Sequence, residues 1–217
     1  MSVDQTTEQL EYIRGFETQL GVPTGFFERL LHEDDWSFLI KLHALIEASS
    51  TNLLVEALNK PELRDQFARL PLSDSECGKL SLMKALGIVS APYRGFIRKL
   101  SELRNEAVHN VQHTNLNLNN LVSTALGSKR TAWAEALGAG VRGTTQDRLK
   151  LLEENPKGVI WVTALCLMSL FAVHKVSLES SNKLSALGAE ALRLVEGLGA
   201  VRVLAATDRR FRGMPNQ

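Results

Sequence analysis

The stretch APYRGFIRKLSELRNEAVHN, residues 91–110, decides the fold class. On a helix turning about 100° per residue, Phe96, Leu100, Leu103 and Ala107 fall on one side. Arg98, Glu102, Asn105 and His109 form a second stripe about 160–200° away. With Pro92 placed in the first turn, where its missing N–H costs nothing, this is a helix with one buried face and one polar face. The same period runs through most of the chain, and no stretch of strict apolar/polar alternation is bounded by turn residues. The pattern therefore predicts an all-α protein, an antiparallel bundle of helices.

Working outward, the spacing predicts a helix over residues 8–20, opened by Thr6 or Thr7 and stopped at Gly21 before Pro23. A short amphipathic piece over 25–32 follows. A long helix starts at Asp34 or Asp35 and ends near Leu58, before Lys60-Pro61, with Leu39, Leu42, Ile46, Ser49 and Leu53 as its seam. Residues 63–70 read as a connector, and residues 73–87 as a helix capped by Ser73 or Ser75 and stopped at Gly87. Residues 111–157 are the least regular part, Asn-rich and then Gly/Thr-rich, with helical pieces over 128–137 and 146–154. So long a connection between core helices reads as a lid, a binding loop or a surface excursion. A strongly apolar helix over 159–180 and a Leu/Ala-rich helix over 182–204, interrupted at Gly197 or Gly199, precede a tail carrying Arg209, Arg210 and Arg212. The expected organisation is an N-terminal helical extension (1–33), a bundle (34–183) with an insertion at 111–157, and a C-terminal helix with a basic tail (184–217).

Composition narrows the class. With 44% hydrophobic and 23% charged residues in 217, the chain reads as globular rather than disordered. Cys77 and Cys166 belong to no CxxC or His/Cys cluster, so no zinc site, disulfide framework or other metal or cofactor site is expected. The N-terminal residues lack the basic and apolar regions of a signal peptide. The apolar run 159–173 is shorter than the roughly 20 residues of a membrane span, so a core helix in a cytoplasmic protein is the expectation. Net charge is +1, but it is unevenly distributed: residues 1–76 hold 6 basic and 14 acidic side chains, and residues 77–113 hold 6 and 2. The basic surplus begins where the polar stripe lies, which suits a local anionic partner.

Arg104, Asn105 and His109 are the residues here that can work on a phosphate. Arg is permanently charged and fork-shaped, and His exchanges protons near neutral pH. With the 2′-hydroxyl of RNA as nucleophile, the two supply what a metal-free cleavage needs. Arg94, Arg98 and Lys99, about one to three turns earlier on the same helix, are candidate RNA-binding cations. Arg104 and His109 are five residues apart, about 140° of rotation, so one straight helix does not put them on one face. A shared site needs the Arg side chain to wrap, the helix end to distort, or a second copy to complete it. A structural role is the competing reading: His109 near a helix C-terminus, Asn110 as cap and Arg104 in an ion pair.

GKLSLMKALGIVSAPYRGFIRKLSELRNEAVHN, preceded by LIKLHALIEASSTNLLVEAL, resembles the HEPN superfamily of helical domains, within it the branch of mannitol-operon-repressor-like proteins. The resemblance rests on a long helix with a small-residue centre, on Lys79, Leu82, Ala85, Leu86 and Gly87, and on a helix ending in Arg-Asn-x-x-x-His; it covers residues 34–110. It implies a HEPN-like bundle that forms a homodimer with two Arg/His motifs facing one cleft. It further implies a metal-independent endoribonuclease of defence, toxin–antitoxin or growth-control systems, with an antitoxin or regulatory protein as partner. Arg104 would bind and polarise the phosphate, His109 transfer protons, and Asn105 orient the site. The repressor-like relatives imply the alternative, a non-catalytic regulatory module that binds a protein or nucleic acid.

Overall fold

The computed structural model describes residues 14–15, 17–18, 21–109 and 116–212, with side chains to Glu190 and at Arg193. Every regular element among these residues is helical, and the fold is all-α. The elements are α1 (Phe26–His32), α2 (Asp35–Leu58), a 3₁₀ turn (Pro61–Leu63), α3 (Arg64–Arg69), α4 (Lys79–Ala85), α5 (Ala91–His109), α6 (Leu118–Thr124), α7 (Gly127–Leu137), α8 (Thr145–Glu154) and α9 (Pro156–Arg212). The chain divides into two units, Met1–Lys175 and Val176–Gln217.

In the first unit α2 is central, packed against α1, α3, α4 and α5. It begins where the sequence predicts: the Asp34 carboxylate accepts from Ser37 N at 2.9 Å, occupying one of the free N–H groups of the first turn. It ends on Asn59, left-handed at φ 50°, whose N–H and that of Lys60 close back onto Glu56 and Val55 carbonyls. Phe38, Leu39, Leu42, Ile46, Leu53 and Leu54 are fully buried along it. α5 lays Phe96, Ile97, Leu100, Leu103 and Ala107 into the same core, the stripe its period requires. The predicted helix over 8–20 lies largely outside the described residues. Of that stretch, Glu17 is buried and its carboxylate accepts from Gly25 N (2.6 Å) and Phe27 N (2.9 Å), capping α1 from outside the helix.

Three elements differ from expectation. The helix over 73–87 begins only at Lys79, because Asp74 accepts from Glu76 N and Cys77 N and holds the chain in a turn. Gly78 completes that turn: a Cβ there would lie 2.5 Å from the Asp74 carbonyl oxygen. Within 111–157 the helical pieces expected over 128–137 and 146–154 are α7 and α8, and an unexpected helix, α6, precedes them. α7 packs on α5 and α8, α6 packs on α8, and Leu118, Val122, Trp133, Ala134, Leu137 and Leu152 are buried. Thr144 and Asp147 start α8 with a reciprocal capping box. Gly140 in the link before α8 approaches the helix at Thr163 so closely that a Cβ would meet Thr163 Cα at 2.7 Å.

The third difference is that α9 is one helix from Pro156 to Arg212, with no break at Asn182, Gly197 or Gly199. Its residues up to Lys175 belong to the first unit, where Val159, Ile160, Thr163, Ala164, Leu167, Met168 and Phe171 are buried. Trp161 Nε1 donates to the Phe27 carbonyl at 2.9 Å, tying this helix to α1. By length and composition alone, Asp35–Leu58 and Pro156–Glu190 are each long and apolar enough to cross a membrane, and a buried core helix passes the same test. In the second unit the described side chains of residues 183–190 are all exposed.

Candidate functional site

The last turns of α5 carry Arg104, Asn105 and His109. Leu103 and Ala107, buried on the opposite side of the same turns, fix the rotation of the helix and so turn Asn105 and His109 to the surface. Arg104, half-buried at the margin of the apolar side, bends around the helix and donates from Nη1 to Asn105 Oδ1 at 2.9 Å. The long side chain thereby crosses part of the rotation that separates it from the polar stripe. His109 is exposed as the last residue of α5; no hydrogen bond joins it to Arg104 or Asn105 among the described residues. Asn110, the expected cap, and His113 lie outside the described residues.

The helix end is held from the side. Trp36 Nε1, in the first turn of α2, donates to the Ala107 carbonyl at 3.1 Å, satisfying one of the acceptors that a helix C-terminus leaves free. Next to Trp36, the Asp35 carboxylate accepts from Leu118 N at 2.8 Å through Oδ2 and pairs with Lys157 at 3.0 Å through Oδ1. The first turn of α2 therefore fastens the end of α5, the start of α6 and the start of α9.

Behind Arg104 lies a buried polar chain. Ser101 Oγ donates to the Ile97 carbonyl at 2.9 Å, so it accepts from His43 Nε2 at 3.1 Å. The other ring nitrogen, Nδ1, faces Glu47 Oε2 at 4.0 Å. Glu47 Oε1 accepts from Lys79 Nζ at 2.9 Å, and the same ammonium donates to the Leu70 carbonyl at 2.6 Å and the Ala68 carbonyl at 3.3 Å. Three acceptors for three N–H bonds are what permit an ammonium with no exposed surface. Burial pushes His43 below its ordinary 6.5; the carboxylate of Glu47 opposes this, and the cations of Arg104 and Lys79 reinforce it. The neutral ring is thus the form that fits the chain. His43 and Glu47, one turn apart on a helix that also carries Ser49 and Ser50, were the sequence signal for this network, which the spacing of His residues alone did not single out.

The three cations named beside the motif have different settings. Arg94 is half-buried, its Nη1 donating to the Val89 carbonyl at 2.6 Å. Lys99 is paired with Glu102 and lies 5.8 Å from the centre of the Trp133 ring, which Lys129 covers at 4.8 Å. Arg98 is exposed, in line with Asn105 and His109. No group of three or more His, Cys, Asp or Glu among the described residues is placed to hold a metal ion. A groove of about 710 Å³, lined by Leu31, Val141, Leu151, Val159 and Trp161 among others, includes none of Arg104, Asn105 and His109. Comparison with known proteins finds no matching family model, no matching curated protein and no matching solved structure.

Proposed function

We propose that the protein is a HEPN-type bundle acting as a metal-independent endoribonuclease, with Arg104, Asn105 and His109 at its centre. The observation that carries this reading is the hydrogen bond from Arg104 to Asn105, which draws a guanidinium toward the exposed stripe that also bears Arg98 and His109. A guanidinium held in this way retains further N–H groups for the oxygens of a phosphodiester.

In the proposed reaction the 2′-hydroxyl of the substrate attacks the adjacent phosphorus and the bond to the 5′-oxygen breaks. A histidine takes the 2′-hydroxyl proton, and an imidazolium returns one to the leaving 5′-oxygen; Arg104 stabilises the charge on the non-bridging oxygens. The products are a 2′,3′-cyclic phosphate and a 5′-hydroxyl. One histidine per chain supplies one of the two proton transfers, so a homodimer with the second copy's motif at the same cleft completes the acid–base pair. The setting we infer is cytoplasmic, in a defence, toxin–antitoxin or growth-control system with a protein antagonist.

The test is incubation of purified protein with total cellular RNA in excess EDTA, with product ends identified. Cleavage to cyclic-phosphate ends is expected, lost by at least a hundredfold in both Arg104→Ala and His109→Ala with helicity unchanged. Cleavage that requires Mg²⁺, or that survives in both variants, overturns the mechanism. Absence of cleavage together with loss of a bound partner in the variants gives the regulatory module instead.

A further inference from the structure

In the second unit of the chain, Leu184 is 70% exposed and Leu187 is 63% exposed, two large apolar side chains on successive turns of one helix face. They are two steps of a longer series. Alternating spacings of three and four run from Ser177 and Ser180 through Leu184 and Leu187, and the sequence continues them at Ala191, Leu194, Leu198 and Val201. A repeat of 3.5 residues that is apolar from Leu184 onward in the sequence, on a helix this long, is the signature of a two-helix seam. The Ser180 hydroxyl already donates to the Val176 carbonyl at 2.9 Å, so covering it leaves no unsatisfied donor.

We propose that this face is covered by the same face of a second copy, running antiparallel, with Leu184 against Leu187 of the second copy and Leu187 against Leu184. Charge selects both partner and register. Lys183 and Glu190 flank the seam on the same side, one heptad apart. In an antiparallel pair these flanking positions face one another, and the register that stacks Leu184 on Leu187 sets Lys183 beside Glu190 of the second copy twice over. Sliding by one heptad in one direction sets Glu190 against Glu190, and in the other direction Lys183 against Lys183. A parallel pair brings Lys183 to Gly188 and Glu190 to Val195, with no ion pair formed. The pairing is an interface separate from the cleft at which the reaction assigned to α5 would bring two copies together, and it does not rest on that reaction.

Sedimentation of the full chain over a micromolar dilution series tests the proposal, and self-association that depends on Leu184 and Leu187 is expected. Leu184→Glu/Leu187→Glu should abolish this pairing and lower the sedimenting mass accordingly, with unchanged helix content, since neither side chain is buried within its own chain. Lys183→Glu and Glu190→Lys, each turning two attractions into two repulsions, should each weaken association about tenfold, and the double exchange should restore it. With Cys77→Ser and Cys166→Ala as background, Ser177→Cys mixed with Leu194→Cys should form a disulfide between the two chains. Ser177→Cys alone should not, its two copies lying about 25 Å apart along the pair. A monomeric wild type, a dimer indifferent to the Leu changes, failure of the double exchange to restore association, or a Ser177→Cys homodimer overturns the proposal. So does binding of the face to neutral phosphatidylcholine vesicles in place of self-association.

Discussion

At the scale of single residues, the side chain with the clearest titration behaviour is His43. Its folded value lies below its ordinary 6.5, so the unfolded chain binds the proton more readily. The stabilising contribution of the neutral ring is therefore complete above about pH 6.5 and is lost as pH falls from there through the folded value. Urea midpoints measured from pH 8 to pH 5 should fall with acidification in the wild type, and the fall should be smaller in His43→Gln, which keeps a donor for Ser101 but does not titrate. Equal slopes in both proteins would show that His43 carries no part of the acid sensitivity. This network also marks how far single residues could be read from the sequence. Arg104, Asn105 and His109 stand out because their residue types, gathered at one helix end, suit work on a phosphate. The pairing of Lys79 with Glu47 joins residues 32 positions apart, and nothing in the local pattern around either of them specifies that meeting.

At the scale of the elements, α9 carries the sharpest test. Leu167 is fully buried in the first unit while Leu170, one turn later, is 41% exposed. Leu167→Asp should cost about 3–5 kcal/mol by placing an unpaired carboxylate in the core, and Leu170→Asp only about 0.5 kcal/mol. Denaturant unfolding of the two variants measures the difference, and comparable losses would mean that this helix is not inserted as described. Periodicity made α2 and α5 legible because each buries one continuous stripe and starts on a recognisable residue, Asp34 for α2 and Pro92 in the first turn of α5. It failed at 73–78, where a carboxylate of the chain's own competes with the helix for backbone N–H groups. It showed α7 and α8 but missed α6, because so short a helix buries only Leu118 and Val122, too few to show a period. It broke α9 in two because Asn182, Gly197 and Gly199 are poor helix formers, a preference of about 1 kcal/mol or less per residue that a long continuous helix overrides.

At the scale of the whole molecule, a face that is covered only by association makes stability depend on concentration. The melting temperature of the wild type should rise with protein concentration, and that of Leu184→Glu/Leu187→Glu should rise less. Differential scanning fluorimetry over a hundredfold concentration range distinguishes the two, and a flat wild-type curve would place its stability within single chains. The first turn of α2 has a different kind of consequence. Its indole is one hydrogen bond from the carbonyl of Ala107, two residues before His109, and indole emission responds to the polarity and charge around that N–H. The other two tryptophans sit elsewhere, Trp133 beneath two lysines and Trp161 bonded to α1. With both replaced by Phe, Trp36 becomes a built-in optical reporter of the end of α5: an oligoribonucleotide that engages the last turn should shift its emission, whereas one that binds elsewhere should leave the spectrum as it was.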